Sequence, residues 1–140
     1  VPIIDIFMSS YTFSTFSGDL INVKAVIGKF NGNEGTLDEQ FKWSDGKVEQ
    51  RIWRLNKVNS KQWIGTADDV VGKAVGTISG NTLKWEYILK LPLENSSINV
   101  KFDDWMYLVD ENVLMNKAKF SKFGFVLGEV TLSFIKSGNL

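Results

Sequence analysis

The sequence predicts an all-β protein, a single antiparallel up-and-down β-barrel of about ten strands. Three observations predict it. Turn signals rich in Gly, Asn, Asp and Ser recur roughly every 8 to 14 residues. The runs between them are rich in β-branched and aromatic residues, and several alternate apolar with polar side chains. No stretch carries the helical period of an amphipathic helix of about 12 residues. At 140 residues the chain is expected to form one domain, 1–140, long enough for its own core.

The elements follow in order. The first strand is expected over roughly residues 3–16 and closes at Ser17-Gly18-Asp19. The second, roughly 20–30, ends at Asn31-Gly32-Asn33. In the third, roughly 35–43, Leu37, Glu39, Phe41 and Trp43 share one face against Asp38, Gln40 and Lys42. Ser44-Asp45-Gly46 then turns the chain. In the fourth, roughly 47–58, Glu49, Arg51, Trp53 and Leu55 oppose Gln50, Ile52 and Arg54, and Asn59-Ser60-Lys61 ends the run. Short fifth and sixth strands, roughly 62–67 and 72–79, are joined by Asp68-Asp69-Val70-Val71-Gly72. Gly65, Gly72, Gly76 and Gly80 permit bulges or tight curvature there.

After Ser79-Gly80-Asn81, the seventh strand (roughly 82–92) carries the cleanest alternation. Leu83, Trp85, Tyr87, Leu89 and Leu91 line one face, and Lys84, Glu86 and Lys90 the other. Pro92 falls at its end, where a sheet tolerates proline. Glu94-Asn95-Ser96-Ser97 leads to the eighth strand, roughly 98–109. There Val100, Phe102, Asp104, Met106 and Leu108 face one way, and Asn99, Lys101, Asp103, Trp105 and Tyr107 the other. Asp110-Glu111-Asn112 and Lys122-Phe123-Gly124 delimit a ninth strand, roughly 113–121. The tenth, roughly 125–136, presents Val126, Gly128, Val130, Leu132 and Phe134 on one face. Ten hairpin-connected strands favour closure into a barrel, which removes exposed edges, over the alternative of a sandwich. A barrel of this size can enclose one small ligand.

Composition excludes whole classes of chemistry. The 16 basic and 16 acidic residues balance, against a nucleic-acid binder with its basic excess. The 14 lysines are scattered, so no polybasic membrane patch is visible. Histidine and cysteine are both absent. This removes Ser-His-Asp and Cys-His machinery, the usual zinc sites and ligated haem. Acid–base work would fall to Asp, Glu, Lys or Tyr. No metal and no cofactor are expected, and neither a membrane-spanning apolar run nor a signal peptide is visible.

Several segments nevertheless carry candidate chemistry. Asp104 shares its face with four apolar side chains, so it needs a hydrogen-bond partner, a raised pKa or a function. It is either a base, or an acid paired with Arg51 or held by N–H donors. Asp103 points oppositely, so Asp103-Asp104 cannot form a carboxylate dyad. Arg51 either grips a ligand carboxylate or phosphate or pairs with Glu39, Glu49 or Asp104. Asp68 and Asp69 are a weak calcium candidate whose spacing matches no EF-hand, set against a turn around Gly72. The tryptophans Trp43, Trp53, Trp63, Trp85 and Trp105 line a flat ligand or fill the core. Asn116 and Lys122 place polar heads near the last hairpin, and Lys122 is either a reactive or carboxylate-binding lysine or an exposed turn residue.

An ordered series of short segments resembles one family. It includes Leu37-Asp38-Glu39-Gln40-Phe41, Arg51-Ile52-Trp53-Arg54-Leu55, the run from Gly65 to Gly76, and Trp85-Glu86-Tyr87. It continues with Leu91-Pro92, the run from Phe102 to Leu108, Asn116-Lys117-Ala118, Lys122-Phe123-Gly124 and Gly128-Glu129-Val130. The sequence resembles the bacterial family defined by domain of unknown function thirty-eight thirty-three. The resemblance implies no established activity. It implies a lipid-linked role, through association with genes for modifying membrane fatty acids, and a periplasmic or membrane-associated lipoprotein. This sequence carries neither the lipoprotein signal nor a lipid-attachment cysteine.

These readings converge on a lipocalin-like or calycin-like barrel that binds a hydrophobic small molecule, a fatty acid or other lipid, without catalysis. Arg51 is expected to hold the polar head with Glu39 and Asp104 beside it, and Trp53, Trp85, Tyr87, Phe102 and Met106 to line the apolar part. One alternative is a cofactor-free lipid-modifying enzyme (isomerase, cyclase or hydratase) with Asp104 or Glu39 as base and Tyr87 or Tyr107 as acid. Another is a filled structural barrel that acts as an assembly partner.

Overall fold

Hairpin after hairpin, the chain builds one antiparallel sheet whose strands lie side by side in sequence order. A computed structural model describes residues 13–15, 18–28 and 30–135. The strands are β1 (Phe13–Thr15), β2 (Gly18–Ile27), β3 (Glu34–Trp43), β4 (Val48–Asn59) and β5 (Gln62–Thr66), then β6 (Val70–Ser79), β7 (Thr82–Pro92), β8 (Ser97–Asp110), β9 (Val113–Lys122) and β10 (Phe125–Ile135). Apart from the three-residue β1, nine strands form a strongly curled half-barrel with no helix among the described residues. The expected boundaries hold within one residue for seven of the strands, β3 to β5 and β7 to β10. Most of the first expected strand, residues 3–12, lies outside the described residues, as does residue 136.

The curl is visible in the packing. One core cluster joins Val23 and Ala25 of β2 to Leu114 of β9 and to Leu132 and Phe134 of β10. Strands far apart in the meander therefore share one interior, although no backbone pairing joins β1 to β10 among the described residues. A second cluster gathers Trp53, Ala67, Val70, Ala74, Trp85, Tyr87 and Leu89 from β4 to β7. Burying such apolar side chains stabilises the fold by roughly 25 cal/mol per Å² removed from water.

Alternation sets which residues look inward. On β7, Trp85, Tyr87 and Leu89 are buried while Lys84 and Glu86 pair outside at 3.0 Å. On β10 the pattern holds for Leu132 and Phe134 but fails at Val126, which is 61% exposed. A register shift between Val126 and Gly128 inserts an extra residue, and a one-residue slip moves a side chain to the other face. β6 shows the same physics. It starts at Val70, two residues earlier than expected, because the turn lies before it, where the Val70 N–H donates to Ala67 O. Gly72 does not sit in that turn. It lies within β6 at a φ of 69°, inside the register shift between Val71 and Val75, a left-handed position that favours glycine. β2 in turn stops at Ile27, short of the expected residue 30.

Gly65 and Gly76 serve a different purpose. A Cβ on either would come within 2.5 Å of the Trp85 indole, which lies across both backbones. The Gly-rich β5–β6 hairpin is thus a bed for Trp85. The indole in turn meets Trp53 edge-on at 5.3 Å.

Candidate functional site

Within the curl lies a cavity of about 430 Å³. Its wall is mainly apolar and aromatic, and its polar groups are few and inward-facing, the usual make-up of a small-molecule site. Trp53 makes edge contacts with Trp85 at 5.3 Å and with Tyr87 at 5.1 Å. Tyr87 stacks on Phe102 at 5.2 Å, and Phe102 on Phe120 at 5.3 Å. Cross-strand register produces this row, because Tyr87 pairs with Phe102 and Phe102 with Phe120. Trp85, Asp104 and Ala118 form the next row on this face, and Met106 sits beside Leu83 and Asn116 in the row after it. All eight residues expected to contact a ligand line this one cavity: Glu39, Arg51, Trp53, Trp85, Tyr87, Phe102, Asp104 and Met106.

The polar end is built from two connected groups. Glu39 and Arg51 are direct partners across β3 and β4. The Trp53 indole N–H donates to Glu39 Oε1 at 2.5 Å, and Arg51 Nη1 lies 3.9 Å from the same oxygen. Arg51 Nε and Nη2 donate to the carboxylate of Asp69, Nη2 at 2.9 Å and Nε at 3.0 Å. The Phe41 ring covers the guanidinium face at 5.2 Å. Arg51 therefore takes Asp69 as its main partner. Glu49 instead meets Lys47 at 3.3 Å.

Asp104, only 8% exposed, accepts from Tyr87 OH at 3.1 Å and from Asn116 Nδ2 at 3.3 Å. Arg51 affects it only from a distance. Asn116 does not sit near the last hairpin as expected. It lies inward in the middle of β9, buried, and also donates to Trp105 O at 3.2 Å. A short polar residue alternating with Leu114 and Ala118 was the sequence signal for that inward position.

Burial governs the ionisation of this cluster. It raises the pKa of Asp104 from 3.8 to about 6, against the opposing hydrogen bonds from Asn116 and Tyr87. Burial also raises the Glu39 carboxyl, partly offset by Arg51 and the Trp53 indole. Tyr87 is pushed well above its ordinary value, first by burial and then by the Asp104 charge. For Arg51, burial favours the neutral form, but the bonds to Asp69 and the nearness of Glu39 outweigh it, and the net shift is upward.

Other expected groups fall elsewhere. Tyr107 is on the outer face, 39% exposed, where it stacks on Trp105, so it cannot serve as an acid in the cavity. Trp43 and Trp63 line the cavity and Trp105 does not. Asp68 and Asp69 separate to different arginines, Arg54 at 3.5 Å and Arg51 at 2.9 Å, and do not converge as a cation site would require. Lys122 donates to Asn99 O at 2.7 Å beside an open outer groove.

The family described as "Protein of unknown function (DUF3833)" matches residues 13–136, and the chain belongs to that family. No curated protein and no solved structure matches the chain.

Proposed function

We propose that this protein binds a hydrophobic small molecule of the lipid class in the barrel interior and does so without catalysis. The observation that carries this reading is the cavity of about 430 Å³, walled by aromatic rings and bearing a small polar cluster. The curled meander is consistent with a lipocalin-like barrel, an architecture suited to one small ligand. Trp53, Trp85, Tyr87, Phe102 and Met106 form the apolar wall, and the polar group of the ligand meets the end that holds Arg51, Glu39 and Asp104. Apolar burial at roughly 25 cal/mol per Å² supplies the affinity, less the cost of ordering the ligand. A periplasmic or membrane-associated setting, implied by the family resemblance, belongs to the same proposal.

Native mass spectrometry of the purified protein, followed by organic extraction, tests it. A co-purifying lipid at near-stoichiometric mass is expected. A clean apo mass, unchanged after incubation with a mixture of lipids, would overturn the reading and favour a filled barrel that acts as an assembly partner.

One observation favours a second reading, a lipid-modifying enzyme. Asp104, with a pKa of about 6 and Tyr87 OH in contact, has the character of a general base in an apolar pocket. Turnover lost in Asp104→Asn with ligand binding retained would establish it, and an unchanged rate would remove Asp104 from the chemistry.

A further inference from the structure

We infer, on the binding reading above, that the polar end of the cavity receives a protonated amine, so that the ligand is a cationic amphiphile and not a carboxylate. The starting point is which charges around the cavity already have partners. Among the described residues, five charged side chains line it: Glu39, Lys47, Glu49, Arg51 and Asp104. Lys47 pairs with Glu49 where both side chains are about half exposed. Arg51 is held by Asp69 through Nε and Nη2 and is covered on its face by Phe41. Asp104 has no basic partner, and Glu39 has only the outer reach of Arg51 Nη1 at 3.9 Å. Lys47, the other basic residue of the wall among the described residues, is engaged by Glu49.

An incoming carboxylate would meet this arrangement badly. The edge of Arg51 not taken by Asp69 is Nη1, and Nη1 already faces Glu39 Oε1 at 3.9 Å. A ligand carboxylate on that edge would sit against Glu39, and like charges in a poorly solvated site repel strongly. To hold such a head, the protein would first have to give up the bidentate bond to Asp69.

An ammonium group fits without rearrangement. It brings three N–H donors and no acceptor. Asp104 receives one bond on each oxygen, from Asn116 and Tyr87, and an ionised carboxylate has room for about four. Trp53 occupies Oε1 of Glu39, and among the described residues Oε2 accepts no hydrogen bond. Trp53 and Tyr87, in edge contact at 5.1 Å, link the two acids, the indole N–H donating to Glu39 and the phenol OH to Asp104. An amine also offsets the cost of burying two acids, because it adds positive charge where Arg51 is chiefly engaged by Asp69.

Binding would then be linked to protons. The titratable and charged groups that face Asp104 are Tyr87 from β7, Glu39 from β3 and Arg51 from β4, with Asp69 attached to Arg51. A bound ammonium favours the ionised form of Asp104, so it expels a proton near pH 6 and binds more tightly as pH rises through that value.

Isothermal titration of the intact protein with decylamine, sodium decanoate and decanol separates the possibilities. Each probe is kept below its aggregation limit. At pH 7.5 decylamine is expected to bind at least about tenfold more tightly than the other two. Its affinity is expected to fall about tenfold by pH 5, with protons released at pH 6 when buffers of different ionisation heat are compared. Asp104→Asn is expected to weaken decylamine about tenfold and to leave decanol unchanged, and the unmodified protein decides the matter should that variant not fold. Decanoate binding as tightly as decylamine, or decanol matching it, would overturn the amine assignment while leaving the binding reading in place. If none of the three binds, the binding reading fails and the amine assignment falls with it.

Discussion

Replacing Asp104 by Asn tests the electrostatics of the cavity most directly. In the folded protein the Asp104 pKa is raised from 3.8 to about 6. A raised acid gives the fold an advantage that is complete below the unfolded pKa and is lost as pH rises through the folded one. The window is therefore about pH 4 to 6. A difference of about two pH units, at about 1.4 kcal/mol each, makes the loss roughly 3 kcal/mol. Asn cannot ionise, so the variant is free of this loss. Its own cost is local. Asn116 can still donate to the amide oxygen, but the amide nitrogen now faces Tyr87 OH and leaves that hydroxyl without its acceptor, a penalty of about 1 kcal/mol.

The two effects have opposite signs in the two pH ranges. At pH 4 the variant is expected to be less stable than the parent by about 1 kcal/mol. At pH 7.5 it is expected to be more stable by about 2 kcal/mol. Urea unfolding followed by tryptophan fluorescence at pH 4, 5, 6 and 7.5 reads both. Some decline with pH will persist in the variant, because burial raises Glu39 in the same direction. Parallel pH profiles for parent and variant would refute the reasoning, since they would mean that Asp104 titrates alike folded and unfolded.

Three further substitutions probe the scaffold. Gly76→Ala places a methyl within 2.5 Å of Trp85, which cannot retreat because Gly65 bears on it too, so a loss of about 1–3 kcal/mol is expected in the urea midpoint; no loss would mean the indole moves freely. Trp53→Phe removes the indole donor to Glu39 and should cost about 1–3 kcal/mol in urea unfolding, an unchanged midpoint counting against that bond. Phe123 has a φ of 52° at the β9–β10 turn with its ring 87% exposed, so Phe123→Gly should raise stability by up to about 1 kcal/mol in thermal unfolding; a loss would show that the ring makes a contact worth more than the strain.

The strands were legible because period-two alternation is a local property. Leu83, Trp85, Tyr87, Leu89 and Leu91 can be assigned to one face without knowing what that face meets. The site residues were legible for the same reason, since Glu39, Arg51 and Asp104 stand where apolar neighbours point inward. Their pairing was not. Asp69 reaches Arg51 from 18 positions away, out of a turn whose local pattern reads only as a turn. Which acid finds the guanidinium depends on where the β5–β6 connection comes to rest over β4, and the curl of the sheet fixes that. Val126 escaped for a related reason. A bulge leaves hydrophobic alternation looking intact on both sides while it reverses the face between them.

The placement of the acids bears on function through what a barrel interior needs in order to fold. A core that had only to be filled would be more stable with apolar residues at the positions of Glu39 and Asp104, because buried charges and their partners rarely repay the loss of water. The pKa of each acid is raised chiefly by burial, so the fold tolerates them at a cost near neutral pH. Both border the cavity, and both are held in place: Glu39 by the Trp53 indole, Asp104 by Tyr87 and Asn116. Oriented, poorly solvated acids beside an empty apolar space are arranged to gain when something enters that space. Closing the cavity without a ligand would remove that gain, so Ala118→Leu at its wall, directly across from Asp104, should lower decylamine affinity at least about tenfold. Unchanged affinity in a variant that still unfolds cooperatively would place the amine outside the cavity.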